Sequence, residues 1–260
     1  MNDQPFAKKS LGQHWLNDRV SLEAICQAAA VGTDDTVLEI GPGPGSLTEL
    51  LVQKAKQVVA VELDEKLARQ LSARVKADNL NVVSQDILKF DLTTLPADYK
   101  VVANIPYYLT SHLIRVISET RNPPSTAALL VQKEVAERVT AKPGHMSLLS
   151  VAAQFHWQVS LGREVPAELF TPPPKVDSQI LILNKRQQPL FKEIDEQKFF
   201  RLIRAGFAQR RKTLLNNLTG GLGLTRDQGE TICKSADIEP TRRAQTLSLD
   251  DWHRLHLVLY

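Results

Sequence analysis

The chain has 260 residues, of which 43% are hydrophobic and 23% charged, and its formal net charge is +3; this is the make-up of an ordinary globular protein of one or two domains. No apolar run reaches the roughly 18 residues of a membrane span, and the start, MNDQPFAKKSLGQ, lacks the apolar stretch of a signal peptide, so a cytoplasmic protein is expected. Cys26 and Cys233 stand far apart and in no metal or redox spacing, which reads as two reduced, part-buried thiols.

From Thr36 to about Asn184, short β-branched runs alternate with helix-like stretches: TVLEI, VVAVEL, NVVSQD, KVVAN, TAALLVQ, QFHWQV and SQILILN. Strands that are apolar at nearly every position are those buried on both faces, so the pattern predicts an α/β fold with a doubly wound, largely parallel sheet covered by helices. Glycine and proline punctuate the turns at Gly41 to Gly45, at Pro106 and at Thr171 to Pro174, and no internal repeat is visible. After Asn184 the spacing becomes helical, which predicts a first domain over 1–187 and a small helical domain over 188–260. In EQKFFRLIRAGFAQRRKTLLNNL, Phe199, Ile203 and Phe207 recur every fourth residue, and this spacing predicts an amphipathic helix that also carries Gln209 to Lys212. Two further helices are expected at about Arg226 to Ser235 and Leu249 to Leu259, behind the start residues Thr225 and Ser248.

Charge is unevenly placed. Between Lys185 and Leu215 stand nine lysines and arginines against the three acids Glu193, Asp195 and Glu196, so this stretch is a candidate anion-facing surface on a nearly neutral chain.

The first motif that carries chemistry is LEIGPGPGS, Leu38 to Ser46, a strand running into a glycine-rich turn and then a helix. Gly41 and Gly43 allow backbone N–H groups to approach a ligand closely. Glu62, at the end of VVAVEL, is an acid at the spacing that accepts hydrogen bonds from ribose hydroxyls, and Leu63 follows it. A dinucleotide fingerprint needs a third glycine where Ser46 stands, whereas Gly45 comes one position early, and that favours S-adenosylmethionine (SAM) over NAD. Asp86, followed by Ile87, closes the third strand where a carboxylate accepts from an adenine amino group; as a helix N-cap it would have a purely structural use.

The second motif is Asn104-Ile105-Pro106-Tyr107, at the end of KVVAN. An exocyclic adenine amine is a poor nucleophile because its lone pair is delocalised into the ring. The Asn104 side-chain carbonyl and the Ile105 backbone carbonyl, both aimed at the amine hydrogens, would draw the nitrogen toward tetrahedral geometry. Pro106 stiffens the turn, and Tyr107 offers a ring on which a flipped base stacks. These motifs make the sheet a Rossmann-like, SAM-dependent methyltransferase sheet followed by a small C-terminal α-helical domain.

KKSLGQHWLND (Lys8 to Asp18), LEIGPGPGSLT, NIPY, FTPPPKVDS (Phe170 to Ser178) and FAQRRKTLLNNL (Phe207 to Leu218), in this order over almost the whole chain, closely resemble the KsgA (RsmA) family of ribosomal RNA adenine dimethyltransferases. The resemblance implies N6,N6-dimethylation of two adjacent adenosines near the 3′ end of small-subunit ribosomal RNA, within an immature subunit. It implies that GQHWL caps the SAM pocket, so that His14 and Leu16 join Gly41, Gly43, Glu62, Leu63, Asp86, Ile87 and Asn104 as cofactor contacts. Trp15 departs from the pattern, since the family usually carries Phe there. Phe170 would lie over the target base opposite Tyr107; filling a core gap beside the prolines is its alternative use. Lys175 would meet RNA phosphate, and Arg210, Arg211 and Lys212 would grip the RNA backbone, against the alternative of solvated surface charge. A monomer is expected, with neither DNA nor a membrane as partner.

His112, His145, His156, His253 and His256 form no ligand set with acids or cysteines, so no metal is expected. Three other functions stay open at this point: a non-catalytic ribosomal RNA-binding assembly factor, the related large-subunit dimethyltransferase that confers macrolide resistance, and a NAD oxidoreductase.

Overall fold

The structure, a computed structural model, describes residues 13–192 and 194–260, so Lys8, Lys9 and Glu193 fall outside the described residues. In chain order the first elements are β1 (Trp15–Leu16), α1 (Arg19–Ala28), β2 (Thr36–Ile40), α2 (Ser46–Lys54), β3 (Gln57–Glu62), α3 (Glu65–Arg74), β4 (Leu80–Ser84), β5 (Lys100–Asn104), α4 (Thr110–Glu119) and β6 (Thr126–Gln132). They are followed by α5 (Lys133–Val139), α6 (Leu148–His156), β7 (Trp157–Val165), β8 (Phe170–Thr171), β9 (Ser178–Lys185), α7 (Glu196–Gly206), α8 (Leu214–Leu222), α9 (Arg226–Ser235) and α10 (Leu249–Leu259).

Seven strands form one sheet in the order β4-β3-β2-β5-β6-β9-β7. The pairs among β4, β3, β2, β5 and β6 are parallel, while β9 runs antiparallel to both β6 and β7. The near-continuous apolar runs explain the parallel part: Val37 and Leu38 of β2, Val101 to Ala103 of β5 and Ala127 to Val131 of β6 are fully buried, which only a sheet covered on both faces allows. From β2 the chain winds outward through β3 to β4, then returns to the other side of β2 with β5. The crevice at the carboxyl ends of β2 and β5 is therefore the topological switch point, where open α/β sheets bind ligands.

The chain divides into two compact units: the described residues up to Glu137 with Trp157–Lys185, and Arg138–His156 with Arg186–Tyr260. The second unit thus includes residues ahead of the 187/188 boundary expected from sequence. The reason is packing: Met146, Val151 and Phe155 lie in its core beside Phe199, Leu202, Ile203 and Trp252. QFHWQV is correspondingly not one strand. Gln154 to His156 finish α6, with the Phe155 ring 5.1 Å from that of Phe199, and β7 begins at Trp157. Beyond Trp157 the strand is mostly exposed and polar because it is a sheet edge paired only to β9, so hydrophobic patterning hides it.

The helix expected to carry Gln209 to Lys212 is two helices, and the basic run lies in the turn between them. α7 ends at Gly206, where a Cβ would collide with the Trp252 indole. Asn217 holds the turn: its Nδ2 donates to the Gly206 and Gln209 carbonyls (2.7 and 3.1 Å) and its Oδ1 accepts from Gln209 N–H (3.2 Å). Thr213 then caps α8. The helices α9 and α10 run over the expected residues, each opened by a capping box, Thr225 with Gln228 and Ser248 with Asp251. Among the described residues no helix is long and apolar enough to cross a membrane.

Candidate functional site

The carboxyl ends of β2, β3 and β5, the start of the turn after β4 and the segment 13–16 enclose a cavity of about 180 Å³ in the first unit. The glycine loop forms one wall. Gly43 (φ +55°) is held at a close approach, for a Cβ there would stand 2.5 Å from the Trp15 ring; Gly45 (φ +95°) is the N-cap of α2, where a Cβ would stand 2.6 Å from Leu71 Cδ1.

Glu62, 5% exposed, ties the loop to the end of β3: one carboxylate oxygen accepts from Gly43 N–H (3.1 Å), the other from Asp64 N–H (2.9 Å). Burial raises its pKa, and the Asp64 and Gly43 N–H groups oppose that rise. Each oxygen still has a lone pair for a ligand hydroxyl. Asp86 has its N-cap use, since Oδ1 caps the short turn Ile87–Lys89 by accepting from Leu88 N–H (3.0 Å), and the residue also lines the cavity. Leu63, 52% exposed, and buried Ile87 line the same end.

Across the cavity, Asn104 Nδ2 donates to the His14 backbone carbonyl at 3.3 Å. Only the NH₂ end of the amide can donate, so this bond fixes the side-chain flip and leaves Oδ1 as the acceptor for a ligand. Ile105, Pro106 and Tyr107 continue the wall. Tyr107 is half-buried; its hydroxyl hydrogen-bonds the Ser178 hydroxyl at 2.8 Å, and its ring is stacked with that of His14, centroids 6.0 Å apart. Burial raises the phenol pKa, against a lowering by the Ser178 bond. His14 Nδ1 lies 2.7 Å from the Pro172 carbonyl, so segment 13–16 is joined to the loop after β8. Leu16 lines the cavity from β1, which pairs with β8.

Phe170 does not line the cavity. It pairs with Leu16 in the β1–β8 ladder and is 3% exposed in the core beside Leu22, Val165 and Ile180, the position that its core-filling alternative describes. Lys175 is exposed in the following loop and is no part of the cavity wall. Arg210, Arg211 and Lys212 are exposed in the second unit and form no ion pair among the described residues. No group of three or more His, Cys, Asp or Glu among the described residues could hold a metal ion.

Several cavity-lining residues are not among those expected from sequence, and Glu39, Leu88 and Tyr108 are the ones of chemical interest. Glu39, 1% exposed, lines the cavity with both carboxylate oxygens lacking a hydrogen bond of good geometry, and burial, opposed by the Thr48 hydroxyl beside it, pushes its carboxyl up to about 8. The available signal was an acid inside the otherwise apolar strand TVLEI. Leu88 and Tyr108 also line the cavity although 41% and 60% exposed. The site fits SAM: unpartnered buried carboxylate oxygens suit its ammonium, Glu62 and Asp86 suit ribose and adenine, and the glycine loop leaves room for backbone approach.

The family model described as "Ribosomal RNA adenine dimethylase" matches residues 6–259. A curated relative, "Ribosomal RNA small subunit methyltransferase A" of Dehalococcoides mccartyi, is 44% identical over 97% of this chain and 88% of its own length. Among solved structures, a dimethyladenosine transferase from Plasmodium falciparum superposes with a TM-score of 0.79 at 28% identity, over 94% of this chain and 96% of that one. The 23S rRNA methyltransferase ErmE gives 0.77 at 28% identity, over 94% and 99%.

Proposed function

The chain belongs to the ribosomal RNA adenine dimethylase family, and from that premise we propose that it uses SAM to dimethylate N6 of two adjacent adenosines near the 3′ end of small-subunit ribosomal RNA. The observation that carries this reading is the Asn104 side chain, whose amide is anchored on the His14 carbonyl so that its oxygen is presented to the cavity at the switch point of a methyltransferase sheet. When bound, SAM supplies a methyl group already activated by its sulfonium. Glu39, Glu62 and Asp86, with Leu63 and Ile87, hold it from the side of β2, β3 and β4. Asn104 Oδ1 and the Ile105 carbonyl accept the two amine hydrogens and localise the nitrogen lone pair. The Tyr107 ring, fixed by Ser178, gives the target base a stacking face worth about 1–3 kcal/mol. No side-chain base is required at Asn104-Ile105-Pro106-Tyr107, because the amine becomes acidic once alkylated.

The substrate form we propose is the immature small subunit in the cytoplasm, met by a monomer and gripped through Arg210, Arg211 and Lys212, with Lys175 near the loop after β8. Residues 1–187 and 188–260 then divide the catalytic and RNA-binding work. The large-subunit reading is disfavoured because identity reaches 44% with the small-subunit relative and 28% with ErmE. Incubation with SAM and unmodified small subunits, followed by nucleoside mass spectrometry, tests the proposal. Dimethyladenosine in the small-subunit RNA is the expected result; its absence, or methylation of large-subunit RNA in its place, overturns the reading.

A further inference from the structure

The exposed apolar side chains of the cavity fall into two groups. Leu63 and Leu88 stand at the end of β3 and after β4, beside Glu62 and Asp86, where the cofactor accounts for them. Tyr108 stands at the other end, directly after Tyr107, and is the most exposed of the three at 60%. Both tyrosines belong to one short 3₁₀ turn, Tyr107–Leu109. Successive side chains of such a turn diverge by about 120°, so the two rings cannot share a direction. Tyr107 turns inward to Ser178; Tyr108 makes no hydrogen bond and no ring contact among the described residues and faces solvent at the cavity mouth. Its backbone is nevertheless fixed, because Leu109 N–H donates to the Pro106 carbonyl (2.9 Å) and the Thr110 hydroxyl to the Tyr107 carbonyl (3.1 Å). An aromatic ring on a rigid turn at the rim of a base-binding cavity is the arrangement of a stacking platform for an unpaired base.

We propose that Tyr108 forms a second base subsite, on which the unpaired base next to the target adenosine stacks while the target occupies the cavity beside Tyr107. The inference rests on the adenine-methylating reading of the cavity and adds the substrate's neighbouring base to it. Because a fixed subsite reads one strand direction, the base on Tyr108 is the second target adenine in one of the two methylations and the nucleotide outside the pair in the other.

The test compares full-length wild type with Tyr108→Ala and Tyr108→Phe on unmodified small subunits and on reconstituted subunits carrying an abasic site beside the target. Tyr108→Ala is expected to raise KM for the normal subunit by about 5- to 150-fold, the worth of one stacked base, with SAM affinity by calorimetry unchanged. Tyr108→Phe keeps the ring and should restore KM. On the abasic substrate wild type and Tyr108→Ala should converge. A wild-type KM for Tyr108→Ala, a penalty that persists undiminished on the abasic substrate, or a parallel loss of SAM affinity each overturns the subsite. If wild type itself leaves small subunits unmethylated, it is the proposed function that fails.

Discussion

Replacing Glu39 with Gln removes a buried charge without changing the shape of the side chain, and the structure sets both the direction and the size of the effect. The carboxyl is 1% exposed and makes no hydrogen bond of good geometry, and burial, opposed by the Thr48 hydroxyl beside it, pushes it from 4.5 up to about 8. Between those two values the folded state keeps a proton that the unfolded chain has released. Stability is therefore least penalised below pH 4.5 and falls as pH rises toward 8, by at most about 1.4 kcal/mol per unit and on the order of 5 kcal/mol in all. Glu39→Gln carries no such proton, so its thermal midpoint should gain on that of wild type steadily from pH 5.5 to 8. Calorimetric scans of both proteins across that range measure the divergence. A cationic ligand in the cavity favours the ionised carboxylate, so saturating SAM should narrow the gap for wild type and leave the variant's profile unaltered. Parallel pH profiles for the two proteins would show that Glu39 is not titrating in the fold, and the argument from its burial would fall.

Three further outcomes are expected. Asn104→Ala should lower the single-turnover methylation rate by about 10²- to 10³-fold, the scale for losing one preorganised electrostatic partner of a transition state, with an unchanged thermal midpoint; near-normal turnover refutes the role of Oδ1. Tyr107→Phe and Ser178→Ala should each cost about 1–3 kcal/mol in denaturant unfolding, because each leaves a hydroxyl of the 2.8 Å pair unpartnered, and the double variant should cost less than the sum; additivity would mean the hydroxyls are not coupled. Replacing Arg210, Arg211 and Lys212 together with Ala should weaken small-subunit binding and reduce the slope of log affinity against log salt by roughly 0.7–0.9 per lost phosphate contact, with SAM affinity intact; an unaltered slope places the grip elsewhere.

Much of this molecule is legible locally. TVLEI, KVVAN and TAALLVQ are strands over the residues expected, because two-sided burial forces an apolar residue at nearly every position. The caps at Thr225 and Ser248 mark α9 and α10 for an equally local reason, a side chain satisfying the first free N–H groups of its own helix. What escaped depends on partners distant in sequence. Apolar spacing carries one helix through 196–218, and the break comes from the Asn217 amide and from Trp252 lying against Gly206. For Phe170 the resemblance implies base stacking and core filling is the alternative, and the two-residue ladder with Leu16, 154 positions earlier, sets it in the core. Tyr107 was legible as a ring, whereas its Ser178 partner belongs to a strand that returns antiparallel beside β6.

The same long-range logic explains why two motifs so far apart act as one site. In the β2–β5 ladder Val37, Leu38 and Glu39 stand beside Lys100, Val101 and Val102, so Gly41 and Asn104, each two residues on, leave the sheet side by side. Parallel neighbours end at the same edge, and with the crossovers departing on opposite sides of that pair, no connection covers the crevice. Register is what makes this chemistry: a slip of one residue in β5 would turn the Asn104 side chain to the other face of the sheet and bury its amide away from the His14 carbonyl. The fully buried, β-branched runs of β2 and β5 forbid that slip, because every shift exchanges packed faces. The strands that look least functional in the sequence are thus the elements that aim Asn104 at the cavity.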